Sequence, residues 1–190
     1  HEYSRSNFPP ADHFGDEERL RLSSTIVRYL RQKKNREVLV SLRTDSGEVA
    51  LKRPEIQHLV DVKAVMHHTF VAYLVAAVLL VACLVLLWHS GDRQLLPARL
   101  RQGVWLTAAL IALVVSSAVI NFDLFFTRFH QMFFDPGTWL FDPRDTLIQL
   151  YPLPFWVDAV WKIATVTFLE LVLVYLLSIA LSPLTSRSSL

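Results

Sequence analysis

The 190-residue sequence is poor in the groups that build disulfides, metal sites and covalent nucleophiles. Its single cysteine, Cys83, lies inside an apolar run, which excludes an internal disulfide and a cysteine zinc site. No Gly-x-Ser-x-Gly motif marks a nucleophilic serine. His67 and His68 are adjacent, so on a helix they would point about 100° apart rather than share a metal ion. The sequence therefore predicts no metal and no cofactor.

The sequence also lacks a large excess of charge of either sign. The chain carries 19 lysines and arginines against 17 aspartates and glutamates, a formal net charge of +2. In residues 1–65 the two signs alternate instead of forming a basic patch. Because nucleic-acid binding depends on clustered positive charge, we predict no nucleic-acid partner.

Apolar residues are abundant and unevenly distributed. They make up 53% of the chain, and the mean hydropathy is +0.35. They concentrate in three stretches, Phe70 to Trp88, Val104 to Ile120 and Phe155 to Leu181, each near the roughly 20 residues that a bilayer requires. Buried globular helices would need amphipathic partners that so short a chain does not offer. The sequence predicts an all-α membrane protein with three spanning helices.

The arginines of one short loop predict the orientation. Arg93, Arg99 and Arg101 lie between the first two spans, and short cytoplasmic loops are enriched in basic residues. The predicted segments are a small extracytoplasmic cap (1–65), a span (66–89), a cytoplasmic loop (90–102), a span (103–121), an extracytoplasmic interfacial loop (122–155), a span (156–182) and a cytoplasmic tail (183–190). Since a charged cap is not exported unaided, we expect the natural protein to begin with a fourth spanning helix absent from this sequence.

Within the cap, periodicity predicts two helices and a hairpin. The first helix opens at Asp16 and carries apolar residues at helical spacing, whereas Thr44 to Gly47 form a turn signal between Val38 to Leu42 and Glu48 to Leu51. Pro54 and Glu55 open the second helix, which continues into the first span. Along this helix His58, Asp61, Val65 and His68 share one face.

The loop at 122–155 is unusually rich in rings. Residues 122–161 contain 12 of the chain's 22 aromatic side chains and four prolines, which predicts an ordered loop at the lipid interface. Anchoring explains the rings but leaves His130 and four aspartates unexplained, since polar groups at that depth need partners or a function. A lone histidine among rings is more often a packed residue than a catalyst.

Topology favours a catalytic interpretation, because His58 and His130 are both predicted at the same membrane face. Two acid/base groups can then converge on one lipid-depth substrate, and we expect their imidazoles within about 10 Å of each other. Asp61 and Asp145 are candidates to orient them. The apolar wall or membrane anchor of this site is assigned to four rings, Phe129, Phe133, Phe134 and Trp139. Glu170, near the middle of the third span, is predicted to face the bundle interior.

Two motifs resemble one enzyme family. The sequences Glu55-x-x-His58-Leu-x-Asp61-Val-Lys63 and Phe129-His130-x-x-Phe133-Phe134, followed by Trp139, Phe141, Pro143, Asp145-x-Leu147-Ile148 and Pro152-x-x-Phe155, are similar to those of the bacterial lipoprotein intramolecular transacylases. The resemblance covers roughly residues 14 to 180. It departs from the family in the absent first helix and in Trp156, where phenylalanine is expected.

The resemblance implies an acyltransferase of the bacterial cell membrane with its site at the extracytoplasmic face. Such an enzyme moves the sn-2 acyl chain of a diacylglyceryl-modified N-terminal cysteine onto the α-amine of that cysteine, leaving a lyso-form lipoprotein. His58 and His130 would be its acid/base groups, with His130 favoured as base. Asp61, Lys63 and Asp145 would support them or orient the substrate. Its partners would be the diacylglyceryl-modified lipoproteins and membrane lipid.

Two alternatives to the transacylase remain open. The first is a non-catalytic module that binds lipid or a partner, and the second is a metal-dependent membrane hydrolase. The hydrolase is disfavoured because the aromatic loop has no metal-binding motif. The sequence does not determine the oligomeric state.

Overall fold

The computed structural model of the protein describes residues 14–32 and 35–186, and the regular elements in these ranges are all helical. The helices are α1 (Asp16–Arg31), α2 (Glu37–Val40), α3 (Arg53–His89), α4 (Leu96–Ile120), α5 (Phe122–Phe133), α6 (Thr146–Leu150) and α7 (Leu153–Ser186), and a 3₁₀ turn at Arg93–Leu95 precedes α4. This confirms the predicted all-α fold class. Arg187, in the predicted cytoplasmic tail, lies outside the described residues.

Helices α3, α4 and α7 are long and apolar enough to cross a membrane, which confirms the three predicted spans. Large apolar side chains remain exposed along them, including Phe70, Leu79 and Leu173, each more than half exposed. Exposing apolar area to water costs roughly 25 cal/mol per Å². Contact with lipid avoids that cost, so these apolar helix faces suit the hydrocarbon core of a membrane.

Only part of α3 belongs to the membrane. Its 37 residues extend about 55 Å at 1.5 Å each, whereas the hydrocarbon core is about 30 Å thick. The charged residues of α3 all lie in its first eleven positions, at Arg53, Glu55, Asp61 and Lys63. The apolar run begins only at Phe70, so the first turns of α3, including His58, precede the spanning segment.

Contacts divide the chain into two compact units. One contains the described residues up to Phe70 together with Leu124–Asp158, and the other contains Val71–Asp123 with the described residues from Ala159 onward. The cap and the aromatic loop, predicted as separate segments, therefore fold as one unit. Every residue assigned to the candidate site belongs to this unit.

The first unit has its own hydrophobic core. Leu22 and Ile26 of α1 are fully buried, as expected from their spacing on one helix face. The rest of the core comes from Tyr29 of α1, from the segment 39–59 and from α6, and the members of the last two are Leu39, Leu42, Ala50, Leu51, Ile56, Leu59, Leu147 and Leu150. Because α6 lies near the end of the aromatic loop, this core attaches that end of the loop to the cap.

The predicted hairpin is only partly correct. Residues 37–40 form the short helix α2 instead of a strand, and a single antiparallel bridge joins Arg43 to Val49. The turn between them is present, with Gly47 at φ +87°, a backbone conformation that favours glycine. Only a few residues separate the turn from α3, which begins at Arg53. A β-ladder therefore cannot extend beyond this one bridge.

The prediction that Glu170 faces the bundle interior is wrong for the described chain, in which its side chain is exposed. Within the second unit α7 meets α4 through Trp105 and Tyr175, whose ring centres are 6.5 Å apart. Tyr175 is five residues beyond Glu170 and so about 140° around the helix. The face that packs on α4 is therefore not the one that carries Glu170.

Candidate active site

His58 and His130 meet inside the first unit. Their ring centres are 6.1 Å apart and their planes are inclined by only 22°, so the imidazoles are stacked. His58 comes from the extramembrane part of α3, and His130 from α5. The predicted separation of about 10 Å or less is confirmed. One compact reacting centre can contact both rings.

The protonation of His130 follows from its hydrogen bond. The side chain is 8% exposed, and its Nδ1 lies 2.8 Å from the carbonyl oxygen of Phe126, four residues earlier on α5. A carbonyl oxygen can only accept, so in the neutral ring the proton is on Nδ1. The lone pair is then on Nε2. His130 therefore has the tautomer of a base that is oriented by the backbone.

His58 lies among aromatic rings, and within the described residues its Nδ1 has no hydrogen bond like that of His130. Its centre is 4.9 Å from that of Phe134 and 5.4 Å from that of Phe141. Its Nδ1 is buried and has no hydrogen-bond partner within the described residues. A buried nitrogen without a partner costs about 1–3 kcal/mol, which identifies Nδ1 as a position that favours contact with a ligand.

Both imidazoles are neutral at pH 7. Burial, reinforced by the charge that His130 would carry, lowers the pKa of His58 to about 4, although the Asp61 carboxylate opposes the shift. Burial also lowers the pKa of His130, against the opposing effect of its hydrogen bond to Phe126. Each ring disfavours protonation of the other, so the pair holds at most one extra proton near neutral pH.

Aromatic rings surround the pair. The ring centres of Phe126, Trp139 and Phe134 are 3.9, 4.8 and 5.5 Å from that of His130. Of the four rings predicted to line the site, Phe134 and Trp139 therefore contact the imidazoles. Phe129 touches His130 edge-on at 5.6 Å, whereas Phe133 contacts Phe129 at 5.0 Å. Phe129 and Phe133 are also 45% and 44% exposed, as suits a membrane anchor.

Sequence reasoning missed two of these rings as site residues. Phe126 precedes His130 by four residues, so helical spacing placed it on the same face of α5 and was the available signal. Phe141 occurs in the family motif, but no local pattern connects it with His58. Its contact with that histidine depends on the path of the loop between α5 and α6.

Trp139 differs from the other rings because its polar atom has no partner. The side chain is 9% exposed, and the indole Nε1 is buried without a hydrogen-bond acceptor among the described residues. By contrast, Trp156 donates its Nε1–H to the carbonyl oxygen of Tyr151 at 3.1 Å. A buried tryptophan usually satisfies its N–H, so the environment of Trp139 is exceptional.

The two aspartates predicted to orient the histidines bind other groups. Asp61 accepts a hydrogen bond from Gln57 Nε2 at 3.0 Å and acts on His58 through its charge. Asp145 pairs with Lys52 and accepts the Asp142 backbone N–H at 3.0 Å. Its described bonds therefore support the loop instead of reaching an imidazole.

Lys63 attaches the cap to α3. Its Nζ donates to the carbonyl oxygen of Gln32, at the end of α1, over 2.8 Å. The same ammonium lies 4.1 Å from the ring centre of Tyr29. A cation at a helix C-terminus and over an aromatic face is favourable on both counts. Lys63 therefore supports the position of α1, and its described contacts are with Gln32 and Tyr29 instead of the histidines.

A residue outside the predicted site, Glu55, holds the site together. It is 1% exposed and lies one turn before His58. One carboxylate oxygen accepts the backbone N–H of Lys52 at 2.7 Å, and the other accepts that of Leu147 at 2.7 Å. Glu55 thus caps the start of α3 and binds the first turn of α6. Burial raises the pKa of its carboxyl, while the two N–H bonds favour the ionised form.

Two further contacts join the same segments. Thr146 donates its hydroxyl to the carbonyl oxygen of Ala50, and Lys52 pairs with Asp145. Together with the bonds of Glu55 they form what we call the Glu55 network. It fixes the residues just before His58 to the end of the loop that carries Trp139 and Phe141. Among the described residues, no group of three histidine, cysteine or acidic side chains is arranged to hold a metal ion.

Comparison with known proteins finds one family whose sequence profile covers the candidate site. The sequence profile of the lipoprotein intramolecular transacylases matches residues 1–156, which include both histidines, the aromatic loop and the Glu55 network. The chain belongs to the lipoprotein intramolecular transacylase family. An uncharacterized protein of Aquifex aeolicus is 33% identical over 175 residues, which are 91% of this chain and 77% of that protein. No solved structure matches the chain.

The residues that match the transacylase family form one continuous region of the chain, and the candidate site lies within it. The matched residues end at Trp156, just after the aromatic loop, and contain all of the ring contacts around His58 and His130. The Aquifex relative extends the similarity over most of the chain. The family resemblance stated from the sequence is confirmed.

Proposed function

We propose that the protein transfers the sn-2 acyl chain of a diacylglyceryl-modified N-terminal cysteine to the α-amine of the same cysteine. The observation that carries the proposal is the stacked pair of neutral imidazoles, 6.1 Å apart, in a transacylase-family chain. The substrate supplies both the nucleophile and the acyl donor. No covalent acyl-enzyme is needed, which agrees with a site built from histidines and rings.

The reaction balances with one proton transfer. The amine nitrogen bonds to the ester carbonyl carbon, the bond from that carbon to the glycerol oxygen breaks, and an amide and a free hydroxyl result. One proton leaves the nitrogen and one arrives on the glycerol oxygen. The histidine pair therefore holds a single extra proton at a time, because a positive charge on His130 lowers the pKa of His58.

His130 is the better base. Its Nδ1–H is bound to the Phe126 carbonyl, so Nε2 presents its lone pair in a fixed direction. His58 would give the proton to the departing glycerol oxygen, because an imidazolium with a pKa of about 4 is a strong donor. Because His58 is neutral at rest, the proton that His130 takes from the amine must pass to His58 before His58 gives it to the glycerol oxygen.

The aromatic surroundings suit a lipid substrate. Each methylene withdrawn from hydrocarbon into water costs about 0.8 kcal/mol, so both acyl chains must stay in apolar surroundings. The exposed rings of Phe129 and Phe133 would lie in the interface and hold the loop there. We place the site at the extracytoplasmic face of the bacterial cell membrane, with the 90–102 loop cytoplasmic, because that loop is basic.

A test is co-expression with a lipoprotein in a host that lacks this activity. Intramolecular transfer leaves the mass of the modified N-terminal peptide unchanged, so tandem mass spectrometry must locate the chain on nitrogen. We expect an N-acyl, S-monoacylglyceryl cysteine and loss of reaction with amine-labelling reagents. A peptide that keeps its free amine and both ester-linked chains would reject the transacylase and favour a binding module.

The pH dependence of the rate should follow the substrate amine. The pKa of both histidines is lowered from the ordinary 6.5, so both rings are already unprotonated above that pH. An α-ammonium has a pKa of about 7.7–8.0 and must lose its proton before attack. Initial rates measured from pH 6 to 10 should therefore rise with a midpoint near pH 8 and approach a plateau about one pH unit higher. A plateau already reached near pH 6.5 would show that a histidine, and not the amine, limits the rate.

A further inference from the structure

Two buried nitrogens lie beside His130 without hydrogen-bond partners among the described residues. They are Nδ1 of His58 and Nε1 of Trp139. Both belong to rings that face the His130 ring, with centre distances of 6.1 and 4.8 Å. Buried polar groups in folded proteins nearly always have partners. Two exceptions around one imidazole indicate that a ligand atom completes their bonding.

The two nitrogens differ in what they can do. An imidazole nitrogen donates or accepts according to its tautomer, whereas an indole N–H only donates and does not titrate near neutral pH. Trp139 therefore cannot take part in proton transfer. It can only bind an acceptor, and the acceptor it suits best is an oxygen on which negative charge develops.

We propose that the Trp139 indole N–H donates a hydrogen bond to the carbonyl oxygen of the migrating acyl group. The inference rests on the proposed transacylase function. When the amine nitrogen bonds to the carbonyl carbon, the C=O π pair moves onto this oxygen. The N–H stabilises the resulting oxyanion until the carbonyl re-forms and the bond to the glycerol oxygen breaks. Preorganised donors aimed at a developing oxyanion are among the largest contributions to catalysis.

Trp156 provides the contrast within the same ring cluster. Its ring centre is 6.2 Å from that of Phe126, which in turn contacts His130. Its Nε1–H is already bonded to the Tyr151 carbonyl, and its side chain is 40% exposed. Both tryptophans contribute apolar area near the histidines, but only Trp139 has an indole N–H left for a substrate. Trp156 is therefore a matched control.

The experiment compares Trp139→Phe with Trp156→Phe in the purified, detergent-solubilised full chain. A synthetic diacylglyceryl-cysteine peptide serves as substrate, and N-acylation is followed over a range of substrate concentrations. We expect Trp139→Phe to lower kcat by about 10²- to 10³-fold, the range for one oxyanion donor, with KM changed less than threefold. Trp156→Phe should stay within about threefold of the wild type, since it removes only a structural bond.

A second replacement separates the hydrogen bond from packing. Incorporating 3-benzothienylalanine at position 139 exchanges the N–H for sulfur and keeps the two-ring shape, so a folding defect is not expected. The same large loss of kcat supports the inference, and wild-type kcat in either Trp139 variant overturns it. If the wild-type protein forms no N-acyl product, the proposed function itself fails, which is a distinguishable result.

Discussion

Replacing His130 or His58 with alanine is expected to lower the rate of acyl transfer by about 10²- to 10⁴-fold, the range for a general acid or base. The expectation follows from their stacked geometry and from the backbone bond that directs Nε2 of His130. Initial rates on a diacylglyceryl-cysteine peptide provide the measurement. His130→Asn is the sharper variant, because an amide N–H can still donate to the Phe126 carbonyl while the basic lone pair is lost.

His67→Ala is the matched control. His67 lies on the same helix α3, is exposed, and contacts its neighbour His68 at 6.1 Å between ring centres. We expect this variant to keep wild-type activity. Thermal unfolding of all variants distinguishes a chemical defect from a folding defect. Folded His58→Ala and His130→Asn proteins that retain most of their activity would contradict the acid/base mechanism.

Replacing Glu55 with alanine should damage the fold and the site together. Two backbone N–H groups, those of Lys52 and Leu147, would lose their acceptor. The Leu147 bond is buried, and an unsatisfied buried donor costs about 1–3 kcal/mol, so we expect a loss on the order of 3 kcal/mol in the free energy of unfolding. Denaturant or thermal unfolding of the solubilised protein measures it, and activity should fall because His58 and the loop lose their common attachment.

Glu55→Gln tests the same idea more gently. A glutamine has one acceptor oxygen, so it can satisfy one of the two N–H groups but presents its own N–H₂ to the other. Its stability should lie between that of the wild type and that of Glu55→Ala. Glu17, exposed in the first turn of α1, is the control, and Glu17→Ala should change stability by less than about 0.5 kcal/mol. Equal stability of all four proteins would show that Glu55 does not stabilise the fold.

The features predicted correctly from the sequence are those set by neighbouring residues. An apolar run of membrane length specifies a spanning helix wherever it occurs, because the bilayer requires internal backbone bonding and apolar side chains. The spacing of Leu22, Ile26 and Tyr29 likewise specified the buried face of α1. The first strand of the hairpin was wrongly predicted because the sequence from Val38 to Leu42 suits a helical turn as well as a strand, and short apolar runs do not discriminate between the two.

The proximity of the two histidines was predictable from the sequence, but the bonds around them were not. His58 and His130 were paired because two motifs and the predicted topology put both at the same membrane face. Asp145 was assigned to a histidine by proximity in that scheme, whereas its described contacts are with Lys52 and the Asp142 backbone. Charge and type alone do not reveal which of several partners a carboxylate will reach.

The sequence by itself determined the membrane environment, the three spanning helices and the buried face of α1, because hydropathy and helical spacing are local properties. Only the tertiary structure decided that Glu55 joins α3 to α6, and that the indole N–H of Trp139 is buried beside His130 without a partner. Both depend on how distant segments pack around one small core. Hydrogen bonds are directional and short-ranged, so a displacement of about 1 Å changes which groups pair.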